Sequence, residues 1–390
     1  MTAGPHPTPP ASVAGPGRAW PRAVAWLAAS LVLALGLGAC LSPPPFDEEA
    51  WRRRVEAEAV ADLHAPHRRA DGAFYNPWLP QDRRWWEVWR WWLSRSSLGP
   101  EAPPAPAMPT LANDGAYLAD PRARPSLTWI GHASFAVQLG GPLVLTDPLF
   151  GPRALVVGRQ APPAFGPEKV PAGSLLVISH NHYDHLDAVS VAALADKAVF
   201  LCPLGLGDML RDMGARQVVE LDWWQERTIE GTRLVCLPAQ HWSLRLGQGL
   251  NQGLWCAWLI ERDGRRVFYG GDSGYFIGFR EIGRRFPGID AALLPVGAYL
   301  PRWFMHYAHM DIGEAVRAYR DLGARWLVPT QWGALKLGDE PAAWPLLELC
   351  EARRQDPDLT RGLVVLPQGG RLFLDQPAGV LPSDTVGCRP

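Results

Sequence analysis

The sequence lacks several features that would assign the chain to common functional classes. It carries 38 Lys and Arg against 39 Asp and Glu, a formal net charge of -1, and it contains no basic run. We therefore expect no nucleic-acid partner. Its six cysteines show no C-x-x-C spacing, and it has no serine or cysteine nucleophile motif and no repeat of solenoid period. The 390 residues suffice for one large α/β domain with a full core.

The first 39 residues are predicted to be a secretory signal and not part of the fold. Two arginines precede an uncharged apolar run over 23–39 that ends in small residues, which is typical of a signal peptide. The string Leu37-Gly38-Ala39-Cys40 resembles a bacterial lipoprotein cleavage box, so we expect Cys40 to carry lipid. Leu41 after it favours the outer membrane, facing the periplasm. The alternative is an uncleaved transmembrane anchor.

Residues 40–125 are predicted to form a lipid-anchored tether, a tryptophan-rich helix and a wrapping segment rich in Pro and Ala. At helical spacing, the run 83–93 places four apolar residues on one face: Trp85, Val88, Trp89 and Trp92. Tryptophan and arginine suit the headgroup region of a membrane, so this helix is expected either to lie at the membrane surface or to pack on the domain.

From residue 126 to 376 the pattern changes to short apolar strands separated by Gly, Pro and Asp turns and followed by helices. Strands are expected, for example, at 174–179, 232–237 and 363–366. Two similar halves of this kind favour an α/β fold in the form of an αββα sandwich. A short C-terminal tail is expected at 377–390. Cys236 and Cys256 lie in strand-like runs and are expected to be buried thiols.

Three histidines and an aspartate lie within six positions of one another, in His180-Asn181-His182-Tyr183-Asp184-His185. An apolar segment precedes this cluster and a helical one follows it, which places it at the carboxyl end of a strand. His180 and His182 are two apart in extended chain and point to the same side, whereas Asp184 and His185 on the following turn face a second point. This pattern predicts two adjacent metal sites, best suited to zinc.

The string His180-x-His182-x-Asp184-His185 resembles the signature of the metallo-β-lactamase-fold hydrolases. Further strings resemble one branch of them, the N-acylphosphatidylethanolamine-hydrolysing phospholipase D family, in that family's order over roughly 74–372. The most specific are Asp222-Trp223-Trp224 and Pro301-Arg302-Trp303-Phe304-Met305. The others include Thr128–Ala133, Leu145–Pro148, Gln240–Trp242 and Gly271–Tyr275. The resemblance implies an αββα sandwich of the metallo-β-lactamase type.

The resemblance also implies a ligand set. It assigns His180, His182 and His241 to a first zinc. It assigns Asp184, His185 and Asp272 to a second zinc, with Asp272 bridging both. The neighbouring His132 is expected to be structural, and Asp147 to cap a turn or support the ligands.

One ligand position departs from the family, because Gln331 stands where the family has the histidine of a His-Trp-Gly string. An amide oxygen is a harder and weaker ligand for zinc than imidazole. Three outcomes are open: Gln331 ligates weakly, a water takes the place, or His306 or His309 substitutes. The first zinc site is expected to be complete and the second to be weak.

The activity implied by the resemblance is phosphodiester hydrolysis by metal hydroxide, which Asp184 holds. The implied substrate is the phospholipid N-acylphosphatidylethanolamine, and the products are an N-acylethanolamine and phosphatidate. His309 is a candidate for contact with the substrate or transition state, and Arg302, Trp303 and Phe304 for lining the groove. The alternatives are a lactonase or other amide or ester hydrolase of this fold, and a non-catalytic envelope lipoprotein with a degraded metal site.

Overall fold

The computed structural model describes residues 45–81, 85–94, 108–120 and 122–377, with Met1, Gly4, Trp26 and Val386. These fall into two units, one containing 85–94 with Met1, Gly4 and Trp26, and the other containing 45–81, 108–120, 122–377 and Val386. The predicted signal peptide, Cys40 and most of the C-terminal tail lie outside the described residues. Within the ranges just given, each helix is too short or too polar to span a bilayer.

The larger unit is built on two β-sheets. In chain order the strands are β1 Ser126–Gly131, β2 Ser134–Gln138, β3 Val144–Thr146, β4 Arg153–Ala154, β5 Val157–Gly158, β6 Ser174–Val177, β7 Ala198–Pro203, β8 Gln217–Leu221, β9 Glu226–Ile229, β10 Thr232–Leu237, β11 Leu244–Arg245, β12 Gly249–Leu250, β13 Ala257–Arg262, β14 Arg265–Tyr269, β15 Ala291–Pro295, β16 Trp326–Thr330 and β17 Arg371–Phe373. The first sheet has the order β17-β1-β2-β3-β6-β7-β8 and the second has the order β16-β15-β14-β13-β10-β9.

Most helices lie in the connections between strands, and the first two precede β1. They are α1 Glu48–Glu56, α2 Trp85–Ser94, α3 Ala188–Leu194, α4 Gly207–Asp212, α5 Gly278–Arg285, α6 Arg302–Met305, α7 Ile312–Leu322, α8 Trp344–Gln355 and α9 Pro357–Gly362. Side chains of both sheets share one buried core, which includes Trp129, Trp258 and Trp326. A separate apolar layer joins the outer face of the first sheet to α3 and α4, and α7 packs on the second sheet at β15. The arrangement is helix, sheet, sheet, helix, and the predicted αββα sandwich is confirmed.

Two details differ from the sequence-based expectation. The segment 363–366 is fully buried but forms only an isolated bridge, from Leu363 to Leu327, in place of a strand. Its apolar run was a correct signal of burial, which periodicity alone cannot separate from strand pairing. The structure also contains two short hairpins, β4–β5 and β11–β12, that were not predicted. Cys236 and Cys256 are free and buried, as expected.

The tryptophan-rich segment forms α2, which agrees with the helix predicted over 83–93. Three of its large apolar side chains are exposed: Trp86, Trp89 and Leu93. Their spacing of three and four residues places them on one side of the helix. Whether this face meets a membrane stays a prediction.

Candidate metal centre

The polar residues of the site follow strands that end at one edge of the sandwich. Parallel strands β3, β6 and β7 of the first sheet and β14, β15 and β16 of the second bring their carboxyl ends to this edge. The side chains delivered there are His132 after β1, Asp147 after β3, the ligand turn 180–185 after β6, His241 after β10, Asp272 after β14 and Gln331 after β16. The sandwich therefore gathers residues that are up to about 200 positions apart in sequence into one centre.

Three imidazoles converge in the first half of this centre. His182 Nδ1 lies 2.8 Å from His180 Nε2 and 3.2 Å from His241 Nε2. Burial lowers the pKa of all three rings, to about 4 for His182, so they are neutral at pH 7. A neutral imidazole has only one N–H, so three facing nitrogens cannot all be satisfied by one another. A divalent cation at the point they share would satisfy them, because zinc binds imidazole nitrogen at about 2.0–2.1 Å.

Asp272 spans the two halves of the centre. Its Oδ2 lies 3.8 Å from His180 Nε2 and 3.6 Å from His241 Nε2, and its Oδ1 lies 3.1 Å from His185 Nε2. Burial opposes its charge, but the neighbouring His185 holds the pKa of this carboxyl well below its ordinary value. One anionic carboxylate with an oxygen toward each group of histidines has the placement that a ligand shared by two metals requires.

The second half of the centre contains Asp184, His185 and, unexpectedly, His132. Asp184 Oδ2 lies 3.2 Å from His185 Nε2 and 3.0 Å from His132 Nε2. The ligand atoms of these three residues lie within 4.8 Å of one another, as do those of His180, His182, His241 and Asp272. His132 was expected to be structural, yet it contacts the predicted ligand Asp184. Its position between β1 and β2, at φ 52°, turns the ring toward the ligand edge.

Asp147 orients His185, a residue of the second half of the centre, through a hydrogen bond. Its Oδ2 accepts hydrogen bonds from His185 Nδ1 at 2.6 Å and from the hydroxyls of Ser179 and Tyr269, both at 2.5 Å. Its Oδ1 accepts from the Ser179 backbone N–H at 2.7 Å. A carboxylate bonded to the far nitrogen of a ligand histidine fixes the tautomer and orientation of that ring. Asp147 thus leaves His185 Nε2 facing Asp184 and Asp272.

Arg245 holds the ligand turn closed from the other side, and the sequence analysis did not identify it. Its Nη1 donates to the carbonyl oxygens of Asn181, at 2.9 Å, and Leu186, at 2.8 Å. These two residues stand on either side of the ligands His182 to His185. The guanidinium also lies 4.1 Å from the ring centroid of Tyr183. The sequence offers no signal for this role, because a single arginine between two leucines has no motif and its burial is visible only in the structure.

Gln331 is buried at the end of β16 with a positive φ of 65°. Its side-chain amide nitrogen donates to the carbonyl oxygen of Gly271 at 3.2 Å. Of the two histidines suggested as substitutes, His306 is bonded to the Arg302 carbonyl oxygen and its ring lies 4.3 Å from that of Phe46, outside the ligand groups. His309 is nearer, with Nδ1 4.0 Å from Asp272 Oδ2.

The three residues expected to line the groove lie on α6. Arg302 Nη2 pairs with Glu48 at 3.2 Å and Glu314 at 3.1 Å, so acidic neighbours balance its charge. Its Nη1 lies 3.4 Å from the His309 carbonyl oxygen, which ties α6 to the loop that carries this histidine. Phe304 is buried and Trp303 packs edge-on against it.

Comparisons with known proteins agree with this geometry. Residues 143–332 match the family model of a beta-lactamase superfamily domain. The chain is 38% identical over 314 residues to an uncharacterised protein of Mycobacterium tuberculosis, covering 76% of this chain and 82% of the relative. It is 34% identical to N-acyl-phosphatidylethanolamine-hydrolyzing phospholipase D 1 of Caenorhabditis elegans and 32% identical to the mitochondrial enzyme of that type of Saccharomyces cerevisiae. These matches cover 54% and 55% of this chain and 64% and 48% of the relatives.

Solved structures show the same fold. An isothiocyanate hydrolase from Delia radicum gut bacteria superposes with a TM-score of 0.52 at 17% identity, over 63% of this chain and 98% of that one. The diiron β-hydroxylase CmlA of Streptomyces venezuelae superposes with a TM-score of 0.51 at 19% identity, over 64% of this chain and 54% of that one.

Proposed function

The chain belongs to the metallo-β-lactamase superfamily of metal-dependent hydrolases, and from this we propose that it hydrolyses the phosphodiester of an N-acylphosphatidylethanolamine to release an N-acylethanolamine and phosphatidate. The observation that carries the proposal is the pair of ligand groups joined by Asp272, which suits two metals. The similarity to phospholipases D of the worm and the yeast supports a lipid phosphodiester as the substrate.

Zinc is the metal that we propose for this centre, because neutral imidazole and carboxylate are its usual ligands. Two bound zinc ions would supply an activated water and charge stabilisation for the phosphoryl group. Asp272 and Asp184 would contribute negative charge to offset that of the bound dications. Asp147 and Arg245 keep the ligands in place before substrate arrives, so little reorganisation is needed during the reaction.

His309 is proposed to contact the phosphoryl group or the leaving group. Its ring lies 5.3 Å from that of His241 and its side chain is 14% exposed, so it stands beside the metal ligands and is partly open to solvent. An imidazole there can donate a hydrogen bond to a phosphoryl oxygen or a proton to the departing oxygen. The loop that carries it is held by Arg302.

A membrane location is part of the proposal. The lipoprotein box at Cys40 and the tryptophan-rich helix α2 would both hold the enzyme at a bilayer, by preference the periplasmic face of the outer membrane. The exposed Trp86 and Trp89 of α2 suit the headgroup region. Support for the location comes from the sequence and from these exposed rings.

The test combines metal analysis with a lipid panel, using the full chain and two matched histidine variants. His182→Ala removes a predicted zinc ligand, whereas His64→Ala changes an exposed histidine outside both ligand groups. We expect release of N-acylethanolamine by the parent and by His64→Ala, and loss of bound metal and activity in His182→Ala. Release that survives His182→Ala would contradict metal-dependent hydrolysis. Turnover of lactones without turnover of the lipid would favour another hydrolase of this fold.

A further inference from the structure

Two short hairpins carry exposed aliphatic side chains at their tips. In β4–β5, Ala154 pairs with Val157, so Leu155 and Val156 form a two-residue loop. These side chains are 60% and 85% exposed. In β11–β12, Arg245 pairs with Gly249, and Leu246 at the start of the loop is 91% exposed. Both tips therefore present to solvent the residue types that proteins usually bury.

The first tip does not carry the residues that a two-residue hairpin loop prefers. Two-residue hairpin loops favour Asn-Gly, because such turns need residues that tolerate positive φ. Leu155 has a φ of 51°, a conformation that is strained for a side chain of this kind. Strain of this sort is retained where the surrounding structure or a function requires it. Turn formation does not explain a Leu-Val pair at this place.

The second tip has an inverted strand pattern. Leu244 and Leu250, which face each other across β11 and β12, are both partly exposed, at 42% and 43%. Arg245 between them is buried against the ligand turn. A two-stranded hairpin facing water normally buries its apolar side and exposes its charge. Here the outward side is aliphatic, and Leu246 extends that side to the tip.

Both hairpins contact Tyr183, a residue of the ligand turn. Ala154 and Val157 of the first hairpin belong to a small apolar cluster that includes Tyr183. Arg245 of the second hairpin lies over the ring of the same tyrosine. Tyr183 stands between the predicted ligands His182 and Asp184. The bases of both hairpins therefore lie beside the ligand turn, and the tips extend into solvent from there.

We propose that Leu155, Val156 and Leu246 insert into the acyl region of a phospholipid bilayer and orient the metal centre toward the headgroups. The choice of a bilayer as occupant rests on the proposed function, because a phosphodiester substrate lies at headgroup depth. Aliphatic tips on two narrow hairpins fit between acyl chains, which impose no matching shape. Arg153, exposed at the base of the first tip, supplies a positive charge at the depth of the lipid phosphates.

Vesicle flotation tests the proposal, with bilayers of phosphatidylethanolamine and phosphatidylglycerol as the probe. Every protein is prepared as the predicted mature chain from residue 41, without the signal and Cys40, so that neither the apolar run 23–39 nor lipidation masks the contribution of the tips. One variant joins Leu155→Asn to Val156→Gly, which removes both aliphatic side chains and supplies the residues that the turn prefers. A second variant is Leu246→Ser. The matched control is Leu347→Ser, a 51% exposed leucine on α8.

We expect the vesicle partition coefficient to fall at least about tenfold in each tip variant and to stay unchanged in the control, because buried methylenes drive such insertion. Metal content should stay at the parent's value in each tip variant. The unfolding temperature should stay at the parent's value or, for the Asn-Gly loop, rise above it. Partitioning of both tip variants within about twofold of the parent would overturn the proposal, since each loses full-length aliphatic side chains.

The binding measurement also separates this proposal from the enzymatic one. With metal removed from both proteins by a chelator, His182→Ala should bind vesicles as the parent does, because the tips do not depend on that side chain. If the tip variants lose vesicle binding but the parent hydrolyses no lipid, membrane insertion of the tips is supported and the proposed activity is refuted. If the parent hydrolyses the lipid and the tip variants partition like the parent, the proposed activity is supported and membrane insertion of the tips is refuted.

Discussion

Replacing Arg245 by methionine should weaken metal binding while the two sheets remain folded. Arg245 donates to the carbonyl oxygens of Asn181 and Leu186, which flank the ligand turn. Methionine has a similar length and can still pack on Tyr183, but it has no donor. The change therefore removes the closure of the turn and leaves two buried carbonyl groups without this partner.

The size of the effect follows from these two hydrogen bonds. A hydrogen bond involving a charged group contributes about 1.5–3 kcal/mol, so two would contribute roughly 3–6 kcal/mol. Burial lowers the pKa of Arg245, and the cost of taking its charge out of water offsets part of that sum. We expect a net loss of about 2 kcal/mol in the ordering of the turn, which corresponds to about 30-fold in metal affinity.

Competition between the protein and a chromogenic chelator measures this affinity directly, without reference to activity. Arg245→Lys keeps a positive donor that can reach one carbonyl, so its affinity should lie between those of the parent and Arg245→Met. Arg211→Met, at an exposed arginine of α4 paired with Asp208, is the matched control and should bind metal like the parent. An affinity of Arg245→Met within twofold of the parent would refute the role of Arg245 as a clamp on the turn.

Three further predictions concern other parts of the structure. Asp147→Asn should lower metal affinity by about 10- to 100-fold in the same competition assay, because His185 loses its carboxylate partner. Gln331→His should raise bound metal per chain and activity; metal analysis that already finds two tightly bound ions in the parent would contradict the weak second site. Burial raises the pKa of Glu58 to about 8, so its contribution to stability is full below about pH 4.5 and is lost as pH rises through 8. In Glu58→Gln the free energy of unfolding in urea should not show this loss, which is up to a few kcal/mol, between pH 5 and pH 8. If the free energy of unfolding falls equally between these pH values in both proteins, another group is responsible.

The sequence predicted the parts of the centre that depend on strands with a clear pattern. His180 and His241 each follow a buried apolar strand, and the carboxyl ends of those strands meet at one edge. The sandwich itself was predicted for the same reason, because strands and helices alternate in two halves. Local pattern and global fold agree in these segments.

Residues whose contacts depend on short irregular connections, and not on a strand pattern, could not be predicted in this way. His132 reaches Asp184 because of a positive φ in a tight connection, and Arg245 reaches the ligand turn through a strand of two residues. Strands this short have no periodicity, and a single arginine has no motif. The hairpin tips were missed for the same reason, since Leu155 and Val156 stand where turn chemistry predicts other residues.

The hairpin β11–β12 contacts the ligand turn through Arg245 and carries one of the proposed membrane-inserting tips. Arg245 faces the ligand turn and the next residue, Leu246, faces outward, so insertion of the tip into lipid would restrain the strand that holds the turn closed. If the two events share this free energy, linkage requires that each strengthens the other by the same factor. Loading the chain with zinc should then raise its vesicle partition coefficient, and vesicles should raise its zinc affinity, by about two- to fivefold for a coupling near 0.5–1 kcal/mol. In Leu246→Ser both changes should disappear together, and a zinc effect that persists in this variant would show that the coupling runs through another element.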